Sequence, residues 1–266
     1  IDKDLHINTA GGQWLIDPVD ITIDTGKATA IETALGTGDV TVSTSNGHTN
    51  PGETVPNSGT APGDIHVNAD ITYAQNKLTL NADNDINLNA AINVNGSGTL
   101  ALNYGGTQGN SSSINASFGA NGGFAGKVNF EQSGAGLLAI NGSGYTVIKD
   151  VTALQAMDTA LNGKYVLGGD LNASSVANFA PIGSNSTAFT GTFDGLGHTI
   201  SYLTINRPGQ DRVGLFGQTQ GATLRNMGLV AANIEGRGYV GGLVGVQGSA
   251  SISNAYATGS VSGSDY

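Results

Sequence analysis

The chain has 266 residues, 42 of them Gly, with 38% hydrophobic and only 11% charged residues and a net charge of −10. Globular chains carry about 25% charged residues, so the polarity here comes from neutral Asn, Ser and Thr, and the fold must satisfy many side-chain amides. The acidic balance and lack of a Lys/Arg run argue against nucleic acid and anionic membrane surfaces as partners. The absence of Cys excludes disulfides and thiolate metal sites, and no apolar run reaches the roughly 20 residues that span a bilayer.

Residues 1–149 read as one short strand after another. No signal peptide stands at the start, and both ends look like cuts within a longer protein. Apolar and polar residues alternate at Val19-Asp-Ile21-Thr-Ile23, Val40-Thr-Val42, Ile65-His-Val67, Leu78-Thr-Leu80 and Ile86-Asn-Leu88. A period of two puts Ile, Leu and Val on one face and Thr, Asn and Ser on the other. Asp39, Asp64 and Asp85 open three of these runs, 25 (64 − 39) and 21 (85 − 64) residues apart. That spacing suits successive turns of a parallel β-helix with loops of varying length. Gly-rich breaks at Gly36–Gly38, Gly96–Gly98, Gly105-Gly106 and Gly122-Gly123 are read as corners. The Pro/Gly/Ser/Asn-rich segment 44–63 is read as an extruded loop, and 105–123 is also Gly/Ser/Asn-rich.

One helix is predicted, near 152–161, inside an insertion at 150–163. Asp150 or Thr152 can cap it, Leu154, Met157 and Leu161 share one face, and Asn162-Gly163 ends it. Residues 164–266 then repeat. Leu215, Leu224 and Asn226 recur as Leu243, Ile252 and Asn254, each 28 residues later (243 − 215, 252 − 224, 254 − 226). Fixed periods of about 20–50 residues mark stacked arrays, and these units have no room for a long helix. The expected fold is all-β, a right-handed parallel β-helix (a β-solenoid) that continues as one stack through both halves.

Few residues point to chemistry. The paired acids Asp2/Asp4, Asp17/Asp20/Asp24 and Asp83/Asp85 sit at strand starts beside turns, where Asp normally bonds backbone. A polysaccharide lyase or hydrolase on this fold would need carboxylates from successive turns on one outward face. Asp39, Asp64 and Asp85 are the set with suitable spacing. His6, His48, His66 and His198 lack zinc-motif spacing. No nucleophile motif occurs, and Gly241-Gly-Leu-Val-Gly245 lacks the Lys and helix of a phosphate loop. Trp14 reads as packed on the edge of the stack. Tyr104, Phe118, Phe124 and Phe130 gather near the Gly-rich segment. Tyr104, Phe118, Phe124 and, in the 44–63 segment, His48 are therefore the candidate ligand contacts; no catalytic, cofactor or metal residue is assigned.

Two resemblances cover nearly the whole chain. Gly11-Gly-Gln-Trp14-Leu-Ile-Asp17-Pro18-Val-Asp20-Ile21 and the Asn/Asp-Ile-Asn-Leu runs around 78–104 resemble filamentous-haemagglutinin-like two-partner-secretion exoproteins. Phe193-Asp-Gly-Leu-Gly-His198-Thr-Ile200, Gly214-Leu-Phe-Gly217 and Val240-Gly-Gly-Leu-Val-Gly245 are similar to GLUG-type repeats of bacterial surface proteins. The resemblance implies a non-enzymatic segment of a large adhesin, secreted or held at the bacterial surface and exported through an outer-membrane partner barrel. Its implied ligands are a host or bacterial surface glycan, a matrix polysaccharide or a protein receptor. Alternatives are a polysaccharide-active enzyme and capture of a host haem-carrier protein through extruded loops such as 44–63.

Overall fold

A computed structural model describes residues 20–44, 63–105, 112–120, 123–184 and 186–264, and the backbone of 5–8 and 13–16. The predicted loop at 44–63 lies almost wholly outside the described residues. The chain divides into two compact units, Ile1–Gly144 and Tyr145–Tyr266.

In the first unit, β1 (Leu5–Asn8) and β2 (Gln13–Ile16) form an antiparallel pair. The described strand pairs after it are parallel. The elements are β3 (Ile21–Ile23), α1 (Thr25–Leu35), β4 (Val40–Ser43), β5 (Ile65–Val67), β6 (Ile71–Tyr73), β7 (Lys77–Asn81), β8 (Ile86–Leu88), β9 (Ala91–Val94), β10 (Thr99–Asn103), β11 (Ile114–Ala116), β12 (Lys127–Phe130) and β13 (Gly134–Ile140). They sort into three sheets: β3-β5-β8-β11, β6-β9-β12 and β4-β7-β10-β13. In chain order the strands visit first, second and third sheet and then begin again, so each visit to all three makes one circuit.

Strands of three residues are not stable alone. Here each apolar side chain stands directly on its counterpart in the next circuit. Ile21, Ile65, Ile86 and Ile114 form one such column, in register and at most 1% exposed. Val40, Leu78, Leu100 and Leu138 form a second. Each fully buried aliphatic side chain contributes about 1.5–3 kcal/mol of apolar transfer. The outward faces carry ladders of neutral side chains: Asn81 donates to Ser43 (3.1 Å), Asn103 to Asn81 (2.8 Å), Asn93 to Thr72 (2.9 Å) and Asn129 to Asn93 (2.7 Å). The amides that composition flagged are satisfied by their own neighbours, one circuit away.

The sequence reading allowed a single helix, and α1 corrects it. In the first circuit α1 takes the place held by second-sheet strands in later ones. Asp24 caps it, accepting the Lys27 amide at 2.9 Å, and Ala28, Ile31 and Leu35 turn inward. It covers β6: Glu32 accepts the Thr72 amide (2.7 Å), while Asn76 and Gln75 donate to the carbonyls of Leu35 and Gly36. A sheet edge otherwise left with bare amides is thereby paired. Gly36 accordingly closes a helix, whereas Gly96 and Gly105 take the left-handed conformation expected of corners (φ 50° and 73°).

The second unit holds β14 (Ser143–Ile148), α2 (Val151–Ala156), β15 (Lys164–Leu167), β16 (Leu171–Asn172), β17 (Thr192–Ser201), β18 (Thr204–Asn206), β19 (Phe216–Gln220), β20 (Thr223–Gly236), β21 (Val244–Gly248) and β22 (Ser251–Gly263). One sheet runs β14-β15-β17-β20-β22, with β16 beside β17 and β18 beside β20; β19 pairs β21. All of these pairs are parallel. The predicted helix is present as α2 followed by a 3₁₀ turn over Met157–Thr159; Asp150 is the cap, accepting the Ala153 amide at 2.7 Å. The repeat is literal in the register. Leu224 faces Ile252 and Met227 faces Ala255, 28 apart; beyond an irregularity Ile234 faces Val261, 27 apart.

Left-handed residues recur once per circuit. Asn226 and Asn254 are one pair (φ 52° and 47°), Arg212 and Tyr239 another (61° and 54°), Gly221 and Ser249 a third (63° and 49°). Tyr202 and Ala231 belong to a fourth set (58° and 51°). Such values cost a non-Gly residue about 1–2 kcal/mol, which the stacked neighbours must offset. Gly was the expected corner residue; Asn, Tyr, Arg, Ala and Ser share the task.

Candidate ligand-contact surface

The expected aromatic contacts separate on folding. Phe118 and Phe124 come together, with ring centroids 4.6 Å apart and planes inclined by 23°. They bridge as an antiparallel pair closed by the Gly119 amide on the Gly123 carbonyl (2.6 Å). This small excursion between β11 and β12 leaves Phe118 52% exposed and Phe124 buried. Phe130 belongs to the core. Tyr104 is half-buried just after β10, its amide held by Asn141 Oδ1 at 2.9 Å. His48 and the Trp14 side chain lie outside the described residues.

The carboxylates face backbone amides. Asp20 Oδ1 accepts from Gly63 (2.9 Å) and Asp64 (2.8 Å); Asp64 Oδ1 accepts from Asp85 (3.0 Å); Asp85 Oδ1 accepts from Ser113 (2.6 Å). Asp20, Asp64 and Asp85 thus form one column, each tying down the strand start of the next circuit. Asp39 is not in it. It accepts the Lys77 amide (2.9 Å) at the start of β7, in the third sheet. The 25-residue step from Asp39 to Asp64 is therefore not a circuit; the true step to Asp64 is 44 residues (64 − 20), from Asp20. The local pattern of acid, apolar, polar, apolar is the same in every sheet, so alternation could not separate the columns. His198 is fully buried, with Nδ1 3.2 Å from Asp170 Oδ1. Among the described residues no group of three or more His, Cys, Asp or Glu is placed to hold a metal. No described helix is long and apolar enough to cross a membrane.

Buried charge occurs in the second unit. Asp194 is fully buried; Arg225 Nε lies 2.6 Å from its Oδ2, and its Oδ1 accepts from Asn226 Nδ2 (3.0 Å) and the Leu196 amide (2.9 Å). Asn254 then donates to Asn226 Oδ1 at 2.7 Å. A carboxylate this dry is tolerable because a guanidinium and two neutral donors meet it.

One cluster escaped sequence reasoning. The turn 207–212 stacks on the turn 237–240 through three backbone bonds, Arg237 to Gln210 (2.8 Å), Arg212 to Gly238 (2.9 Å) and Val213 to Tyr239 (3.1 Å). Arg207, Arg212 and Arg237 all lie on these two turns. Arg237 Nε pairs with Asp211 Oδ1 at 2.7 Å, and the Gly238 amide adds to it at 3.1 Å. The Arg237 hydrogen bond, helped by the nearby Arg212 charge, holds the Asp211 carboxyl below the usual carboxylate range. Arg207 bonds only neutral acceptors, the Phe179 carbonyl (3.3 Å) and Gln210 Oε1 (3.4 Å); Arg212 bonds Gln218 Oε1. Tyr239 stands at the tip, 67% exposed. The sequence signal was a repeat spacing: Arg212 and Tyr239 occupy equivalent corners 27 residues apart (239 − 212).

Residues 236–262, the span from the end of β20 through β22, match the family described as the GLUG motif. Over 131 residues the chain is 38% identical to halomucin of Haloquadratum walsbyi, a match covering 44% of this chain and 1% of halomucin. The chain therefore spans a very small part of that relative's length. No solved structure matches it.

Proposed function

We propose that the chain is a non-catalytic segment of a large exported surface protein, in which each unit is a right-handed parallel β-helix whose outer face and excursions make adhesive contacts. The observation that carries this reading is the register of β20 on β22, with Leu224 over Ile252 and Asn226 bonded to Asn254. Each 28-residue repeat is one circuit, and the conspicuous residues of the repeat serve stacking. Crossovers between parallel strands are right-handed in about 98% of cases, which sets the hand. The GLUG match and the likeness to a much longer protein support a repetitive surface segment. The resemblance to two-partner-secretion exoproteins adds export through an outer-membrane partner barrel.

Mechanistically, such a segment supplies spacing and many weak contacts, whose combined avidity exceeds any single one. The ligand would be a surface glycan, a matrix polysaccharide or a protein receptor. Phe118, exposed on its excursion, is one contact and the outward Asn/Thr ladders are others. To test this, residues 1–266 would be immobilised and cell retention compared with an unrelated acidic β-protein, beside product assays on acidic polysaccharides. Retention without product release is expected. Release of reducing or unsaturated ends would overturn the non-catalytic reading, and retention no better than the control would overturn the adhesive one.

A further inference from the structure

Three of the chain's four arginines lie on the two stacked turns 207–212 and 237–240, in a protein whose net charge is −10. These two turns hold three arginines and one acid, Asp211; Glu235, at the end of β20, is the next acid in sequence, and its carbonyl accepts the Arg207 amide at 2.9 Å. The corner is cationic with either count. Arg207 and Arg212 have no carboxylate within ion-pair distance among the described residues. A guanidinium carries five N–H donors. Arg207 uses two of them and Arg212 one, all on neutral oxygens. Both side chains are half-buried and so partly pre-ordered, and their remaining donors suit a planar carboxylate.

The ligand class follows from charge density and shape. Duplex nucleic acid carries about one charge per 1.7 Å of axis and would meet the acidic remainder of the surface. An acidic polysaccharide carries fewer charges per length than duplex nucleic acid, and its carboxylates match the planar fork of a guanidinium. Tyr239 offers an exposed ring with an apolar face and a hydroxyl, the amphipathic kind of surface that suits a sugar ring. Its left-handed backbone (φ 54°) holds the residue at the tip of the turn. We propose that this corner binds a carboxylate-bearing sugar unit of an acidic polysaccharide, with Arg207 and Arg212 on the carboxylate and Tyr239 against the ring. This rests on the adhesive reading and names its ligand class.

The test uses residues 1–266 with polygalacturonate as probe, and neutral dextran and duplex DNA for comparison, by titration calorimetry at two salt concentrations. Polygalacturonate should bind, more weakly at high salt, and dextran should not. Arg207→Ala with Arg212→Ala should weaken binding about tenfold or more. Arg212→Gln and, at the exposed tip, Tyr239→Ala should each weaken it several-fold with unchanged melting. No binding by the unaltered chain, equal binding by the double variant, or tighter binding of DNA through the same arginines would overturn the proposal. Cell retention separates the two readings. If the double variant still retains cells, the corner is not the adhesive site. If the unaltered chain retains no cells yet binds polygalacturonate through these arginines, the corner stands and the adhesive reading falls.

Discussion

Thr219 and Tyr73 show how single residues answer to a stacked interior. Thr219 Oγ1 is buried with no hydrogen-bond partner, an omission that costs about 1–3 kcal/mol. Thr219→Val keeps the shape and removes the hydroxyl, so stability should hold or rise by about 1 kcal/mol in denaturant titration; a clear loss would mean that the hydroxyl has a partner in solution. Tyr73 donates to the Thr99 carbonyl at 2.7 Å from inside the core, and burial pushes its phenol well above the ordinary value of 10.0. Burial also raises Tyr165, and burial aided by the Asp170 charge raises Tyr256. Each is favoured neutral in the fold. Their contribution is whole below the unfolded pKa near 10.0 and is lost as pH climbs above it. Melting temperature should thus fall steeply above pH 10. Tyr73→Phe should cost about 1 kcal/mol at neutral pH, through the lost hydrogen bond, and flatten that alkaline fall. An unchanged alkaline slope in the variant would assign the fall to other groups.

Among elements, β20 depends on the Asn226 side chain. Asn226 sits between Asp194 and Asn254, is fully buried and holds a left-handed φ of 52°. Asn226→Ala removes a donor from a buried carboxylate and an acceptor from Asn254, and leaves Ala where Asn is better tolerated. A loss of about 2–4 kcal/mol is expected by chemical denaturation. A loss below about 1 kcal/mol would show that the inner ladder does not hold the register. α1 carries the complementary lesson. Its signals were present in the sequence, with Asp24 as cap and Ala28, Ile31 and Leu35 on one face. The neighbouring strands' alternation drew attention away, and the reason for a helix at that point, covering the edge of β6, exists only in three dimensions. The predicted helix near 150 was legible because Asp150, Leu154 and Met157 needed no knowledge of their partners.

For the molecule as a whole, the circuit is the unit that can be added or removed. Deleting residues 224–251 joins Thr223 to Ile252 and brings β22 into the register of β20. Deletion alone places Ser253 where Arg225 had faced Asp194, leaving a buried carboxylate short of its cation. That version should melt far earlier than the full chain. Deletion combined with Ser253→Arg should keep the β-type circular dichroism and cooperative melting. Deleting only 224–237 moves strands out of register and should abolish both. If the half-circuit deletion folds as well as the full one, the 28-residue step is not a structural unit.

Alternation, the 28-residue repeat and a polarity made of neutral amides settle which side chains turn inward and which residue of one repeat stands on which residue of the next. These are local or strictly periodic properties, and they survive without knowledge of the fold. The sequence does not say to which sheet a strand belongs. Lengthening an excursion costs only a small, slowly growing closure entropy, so circuits of 21 and 44 residues stack equally well and spacing alone misplaces Asp39. Nor could it reveal the arginine corner or the exposed Phe118 resting on a buried Phe124. Those depend on which turns are stacked on one another, and backbone pairing between distant segments decides that.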